Sequence, residues 1–270
     1  HQTFIDPPAT WRAIPFWSLN DKLDLTEIRR QLRAFDKGGF GGAYLHSRVG
    51  LLTEYLGDDW WDAMDAGVDE CEKLGIEAWF YDEDKWPSGF AGGIVPLQDE
   101  AFHSRYMARL TLDRPIPENA FELGTDANWR YLCCKVDMGN IWFNGTCWVD
   151  LLNPDMVRAF IDCTYKPYAQ RYASRDRKIL RGIFTDEPQF NPRWPIDDAT
   201  PLPFSPIILD DFKDQHGYDL RDHLTSLYEN VNDQSPQVRL HYFTTLARRM
   251  EKSFTVQLAQ YCAEHDLTFT

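Results

Sequence analysis

The chain reads as an α/β protein built on a parallel sheet. Short apolar runs alternate with amphipathic helical stretches along most of its 270 residues. The runs at 76–81 and 179–185 are predominantly apolar, as expected of strands covered on both faces. Each of these runs ends abruptly in charged residues. A repeated strand–helix–strand rhythm satisfies both a doubly wound sheet and a (β/α)8 barrel.

The first strand is expected at 13–19. Asp24 then offers an N-cap with Glu27 as its capping-box partner, and Leu25, Ile28, Leu32 and Phe35 mark one helical face. Gly38 and Gly39 stop that helix. A second strand at 43–45 leads into His46, Ser47 and Arg48. The next helix spans 58–74, with Trp61, Met64, Val68 and Cys71 as its stripe and Gly75 as its stop. The third strand, 76–81, runs directly into Asp82, Glu83 and Asp84.

The rhythm breaks between 88 and 150, where runs with β character at 106–112, 131–136 and 147–151 suggest a small β-rich insertion within a single 1–270 domain. An excursion of that length commonly carries function or covers a site. Asn153-Pro154 restarts a helix with a cap and a proline at its first position, and Pro167 requires a kink or an early end. The fourth strand, 179–185, ends at Asp186, Glu187 and Pro188. After a stretch containing Pro192, Pro195, Pro201, Pro203 and Pro206, helices are expected near 206–216, 219–229 and 236–265, and 267–270 opens a fifth strand.

A formal net charge of −14 repels phosphate backbones and anionic lipid, which argues against nucleic-acid and membrane partners and suits a neutral substrate. No apolar stretch approaches the ~20 residues needed to cross a bilayer. The chain starts at His1 without a basic, apolar leader pattern. Aromatic residues make up 14%, ten of them Trp. Most belong in the core, while Trp17 and Trp86 are the candidates to offer flat faces to sugar rings. The six cysteines match no zinc spacing; free thiols lean towards a reducing, cytoplasmic compartment. Asn144-Gly145-Thr146 is a glycosylation sequon, relevant only to a secreted protein.

Parallel barrels build their active sites at the C-terminal ends of their strands. Three such ends here are polar: His46-Ser47-Arg48, Asp82-Glu83-Asp84 and Thr185-Asp186-Glu187. Glycoside hydrolysis needs carboxyl groups around one mouth, one protonating the leaving oxygen and another activating water or attacking carbon. Glu187 is the candidate acid: it follows an apolar strand, Pro188 fixes the chain after it, and low polarity beside the Asp186 charge would hold it protonated. A solvated acidic turn is the plain alternative. Asp82, Glu83 and Asp84 are candidates to bind sugar hydroxyls or Ca²⁺, although no ligand spacing supports a metal. Asp186, His46 and Arg48 are candidates for substrate hydrogen bonds. Gly38, Gly39, Gly41 and Gly42 do not form a phosphate loop, and no nucleophile elbow is present.

The blocks Phe16-Trp17-Ser18-Leu19-Asn20, Gly41-Gly42-Ala43-Tyr44-Leu45-His46-Ser47-Arg48, Tyr81-Asp82-Glu83-Asp84-Lys85-Trp86-Pro87-Ser88-Gly89 and Phe184-Thr185-Asp186-Glu187-Pro188 together resemble glycoside hydrolase family 106. The third block is the most specific, and Gly217-Tyr218-Asp219-Leu220 extends the resemblance into the helical region. The resemblance implies a (β/α)8 TIM barrel, inverting α-L-rhamnosidase activity on oligosaccharides or glycosides, and an association with Ca²⁺. It also implies Glu187 as the acid, with Asp186 in place of the Asn usual in the large barrel clan. Only about five of eight strands are expected, and the second catalytic carboxylate of the family lies on later strands. The sequence therefore predicts a fragment or degraded gene product whose incomplete barrel favours self-association. Two other readings stand beside the enzyme: a non-catalytic carbohydrate-binding half-barrel or pseudoenzyme, and a β-galactosidase-like barrel glycosidase.

Overall fold

The computed structural model describes residues 2–190 and 201–270 and divides into two compact units. The first comprises His1–Gly92, Phe160–Pro188 and Leu258–Thr270; the second comprises Gly93–Ala159 and Gln189–Gln257. This division differs from one barrel domain carrying a small insertion, because the excursion after the third strand and the helices after the fourth belong to one unit. Pro192 and Pro195 of the expected proline-rich stretch lie outside the described residues.

The first unit holds five parallel strands: β1 (Phe16–Asp21), β2 (Gly42–Leu51), β3 (Glu77–Tyr81), β7 (Leu180–Phe184) and β9 (Thr268–Phe269). They lie side by side in chain order. The parallel α/β pattern is therefore present, as an open sheet; closure into a barrel is not seen among the described residues. β1 begins at Phe16 rather than at 13.

Period-two alternation gives this sheet two different faces. Trp17, Leu19, Ala43, Leu45, Ala78, Phe80 and Ile183 are buried on one of them. There the Trp17 indole donates to Gln31 Oε1 at 2.8 Å and meets the Phe35 ring edge-on. Phe80 packs on Tyr168 and Tyr172. The other face carries Phe16, Tyr44, His46, Tyr81 and Phe184, whose rings lie 4.0–6.4 Å apart.

The helices follow their local signals. Asp24 Oδ1 accepts the Glu27 amide at 2.8 Å to cap Leu25–Lys37. The return half of the expected capping box is not made, because the Glu27 carboxylate holds Arg30 and Gln31 instead. Asp58–Leu74 ends at Gly75, whose φ of 68° lets its amide and that of Ile76 reach back into the last turn. The buried tryptophan of that helix is Trp60 rather than Trp61. Asn153 caps Pro154–Cys163 through the Asp155 amide. Pro167 produces the early end: its ring would clash with the carbonyl four residues back, at Cys163, where the helix stops before Tyr165–Arg171 begins.

β7 and β9 meet very closely at Gly182, where an added Cβ would lie 1.9 Å from the Thr268 carbonyl oxygen. Gly182→Ala is expected to cost about 1–3 kcal/mol by overpacking. It should also speed hydrogen exchange at Thr270, whose amide donates to Ile183 O at 3.2 Å. Unchanged melting and exchange would contradict this account of the pairing.

The second unit is an antiparallel sheet in the order β5-β6-β4-β8, formed by β4 (Arg105–Thr111), β5 (Ala120–Thr125), β6 (Trp129–Lys135) and β8 (Leu202–Phe204). One face, with Met107, Tyr131 and Cys133, joins a core with Phe212, Leu224, Tyr242 and Leu246. The other buries Tyr106, Ala108, Leu132 and Cys134. Residues 147–151 form no strand; Val149 makes only an isolated bridge to His103. β8 carries Pro203 on an edge strand, where a missing amide is tolerated. The expected long helix is Ser235–Met250 and Val256–Glu264, joined by a π-helical turn at Glu251–Thr255.

Candidate functional site

The three polar segments lie on the neighbouring strands β2, β3 and β7, but the first of them is not a strand end: β2 runs through His46, Ser47 and Arg48 to Leu51 rather than stopping at 45. Ser47 Oγ, inside β2, donates towards the Glu83 carbonyl at 2.5 Å and that of Asp84 at 2.6 Å, tying β2 to the segment after β3.

Glu187 is exposed, on a left-handed backbone with φ of 42°. A non-glycine residue there costs about 1–3 kcal/mol and persists only where its surroundings impose it. The Trp86 indole donates to Glu187 Oε2 at 3.0 Å. The low-polarity setting expected for Glu187 is therefore not what surrounds it; an indole edge and solvent do. Beside it, Asp186 Oδ2 accepts the Tyr81 hydroxyl at 3.0 Å. Burial raises the Asp186 pKa and the Glu187 charge adds to that, against the Tyr81 hydrogen bond and Arg48.

Asp82 is fully buried. Ser88 Oγ donates to its Oδ1 at 2.5 Å and the Tyr165 hydroxyl to its Oδ2 at 2.7 Å. Burial pushes its pKa to about 7, with the Ser88, Tyr165 and Thr185 hydroxyls pulling the other way. The sign of the linkage follows. The unfolded chain gives up this proton near the ordinary 3.8 and the folded chain only near 7, so Asp82 lowers stability progressively as pH rises between those values. Asp82→Asn, which does not titrate, should gain melting temperature relative to the parent as pH rises between about 4 and about 7. A difference independent of pH would contradict it.

Glu83 is also fully buried, but it is an anchor for the loop. Its Oε1 accepts the amides of Asp84 and Gly92 at 2.8 and 2.6 Å; its Oε2 accepts those of Gly89, Phe90 and Ala91 at 3.0, 2.9 and 2.8 Å. Burial drives its pKa well up, opposed by these amides. With both oxygens occupied by N–H donors, Glu83 has nothing left for a sugar or a cation. Asp82 is fully buried with a hydroxyl on each oxygen, so it presents no open side to a sugar or a cation. These residues therefore do not fit Ca²⁺, and no group of three or more His, Cys, Asp or Glu able to hold a metal occurs among the described residues. Asp84 is buried as well, with Lys85 Nζ 3.9 Å from its Oδ2.

His46 lies on the aromatic face, fully buried between Phe16 at 4.1 Å and Tyr81 at 4.0 Å between ring centroids. Neither ring nitrogen has a hydrogen-bond partner among the described residues. Burial, then Arg48, lowers its pKa to about 3, so it is neutral at ordinary pH. Arg48 is exposed. Trp17 faces the helices and is removed from the site; Phe16, one residue earlier and 42% exposed, occupies the face where Trp17 was expected. The sequence reading missed Ser88, Tyr81 and Tyr165. Ser88 and Tyr81 stood inside the third block, whereas nothing local marked Tyr165, which comes from a helix 83 residues later.

All six cysteines are free and no helix is long and apolar enough to cross a membrane, both among the described residues. No family model matches the chain, and no curated protein does. Among solved structures it is similar to a rhamnosidase from Novosphingobium sp. PP1Y, with a TM-score of 0.65 and 12% identity over 99% of this chain and 46% of that one. The chain thus spans about half the length of that structure. At this identity the likeness establishes a shared fold.

Proposed function

We propose that the protein is a glycoside hydrolase acting on α-L-rhamnosides or related sugar linkages in oligosaccharides, with Glu187 as the proton donor to the leaving oxygen and the attacking water activated by a second carboxylate on the later strands that the family resemblance implies. The observation that carries this reading is the carboxyl pair Asp186–Glu187 at the end of a parallel strand, with Glu187 exposed and held by the Trp86 indole. The fold shared with a rhamnosidase supports it. So does the strongly acidic chain, which suits a neutral substrate and neither nucleic acid nor membrane. In this reading Asp186, Asp84, Arg48 and the Trp86 ring meet the sugar; Asp82 and Glu83 hold the loop and do not.

The test is a panel of 4-nitrophenyl glycosides. Release of 4-nitrophenol from the α-L-rhamnoside, and not from the β-galactoside, is the expected result. The opposite preference would replace this reading with the galactosidase one. Calorimetric binding of oligosaccharide without release from any member would replace it with a carbohydrate-binding module.

A further inference from the structure

We propose that Ser88, held by Asp82, is the positioning residue of this site, clamping the Asp186 peptide so that Glu187 stands beneath the Trp86 indole. This rests on the reading of Glu187 as the proton donor and adds the groups that hold it.

The clamp has two points. The Ser88 amide donates to the Asp186 carbonyl at 3.0 Å, and Ser88 Oγ accepts the Asp186 amide at 2.8 Å. A hydroxyl has one proton and two lone pairs. Here the proton goes to Asp82 Oδ1, which leaves a lone pair directed at Asp186. Asp82 cannot turn away, because Tyr165 holds its other oxygen. Both Ser88 and Asp82 are fully buried, so no water substitutes for either partner.

The residue that follows the clamped peptide is Glu187, in its left-handed conformation. Such a turn needs flanking groups that impose it. Trp86, two residues before Ser88 on the same loop, holds the far end of the Glu187 side chain. One short loop therefore fixes both the backbone before Glu187 and its carboxylate. The amide cage around Glu83 fixes the continuation of that loop through Gly92.

Ser88→Ala removes the hydroxyl from both Asp82 and the Asp186 amide. The expected result is a fall in kcat of about 10–100-fold with KM changed less than about threefold, the scale of an acid displaced by about an ångström. Asp82→Asn keeps a carbonyl to accept from Ser88 and an amide to face Tyr165, so it should restore kcat to within about threefold of the parent. Asp82→Leu should match Ser88→Ala, and the double variant should be no worse than either single one, since both break one unit. Equal rises in KM, or full additivity, would overturn the proposal.

A second readout does not depend on catalysis. The indole N–H resonance of Trp86, assigned with Trp86→Phe, should move in Ser88→Ala towards its position in Glu187→Ala, which has no acceptor for the indole, and stay in place in Asp82→Asn. A folded Ser88→Ala with an unmoved indole resonance would overturn the clamp even if activity fell. If Ser88→Ala does not fold, Ser88→Cys, nearly the same shape with weaker hydrogen bonding, carries the same test. Should Glu187→Gln prove fully active, the resonance still decides the clamp, and only the chemical reading falls.

Discussion

Glu187→Gln is expected to lower kcat on an alkyl α-L-rhamnoside, whose basic leaving oxygen needs a proton, by at least about 100-fold, the scale of a lost acid catalyst. The substitution is mild in every other respect. Glu187 is exposed, and a Gln carbonyl can still accept the Trp86 indole proton. Folding and KM should therefore stay close to those of the parent, so that the loss falls on the chemical step. Initial-rate measurements alongside thermal melting separate the two. Near-normal turnover in a folded variant would remove Glu187 from the reaction and leave the fold untouched.

Glu83→Ala is expected to have the largest effect on stability. It strands five backbone amides, those of Asp84, Gly89, Phe90, Ala91 and Gly92. Each buried donor left without an acceptor costs about 1–3 kcal/mol; partial relaxation prevents simple addition, and a net loss of at least about 3 kcal/mol is expected. Glu83→Gln should lie between, because one oxygen remains while the new amide group faces N–H donors. Urea unfolding measures both. A loss below about 1 kcal/mol for the alanine variant would show that the loop is held by other contacts.

The contrast between Glu83 and Glu187 explains how far the sequence could be read. Both are carboxylates just beyond an apolar strand, and the sequence made both of them site candidates, Glu187 as the acid and Glu83 as a ligand for sugar hydroxyls or Ca²⁺. What separates them is the path of the chain after the strand. The segment after Glu83 curls back and wraps it with its own amides, while Glu187 stays exposed with the Trp86 indole on its carboxylate. Backbone paths of that kind are set by several residues at once and leave no periodic signal.

Strand alternation was legible, and so was the partition of β1, β2, β3 and β7 into one sheet, because period-two and 3.6-residue patterns are local. The face of a strand that points to the site was not. Trp17 and Phe16 are both large aromatics on adjacent positions, and a one-residue shift exchanges their faces. β1 begins at Phe16 rather than at 13, and Trp17 turns to Gln31 and Phe35 on the helix side. Tyr165 could not be found from the sequence either. Its hydroxyl reaches Asp82 only because the helix break before Pro167 sets Tyr165 at the start of a new helix. The two-unit division was hidden for the same reason: residues 93–159 and 189–257 come together through pairing between β4 and β8, which are far apart in the chain.

The most direct test of the central claim compares two α-L-rhamnosides that differ only in the leaving group, one an acidic nitrophenol and one an alkyl alcohol, with the parent and Glu187→Gln. A proton donor matters most where the leaving oxygen is most basic. The account predicts that Glu187→Gln loses far more activity on the alkyl rhamnoside than on the nitrophenyl one. Equal losses on both would contradict Glu187 as the proton donor.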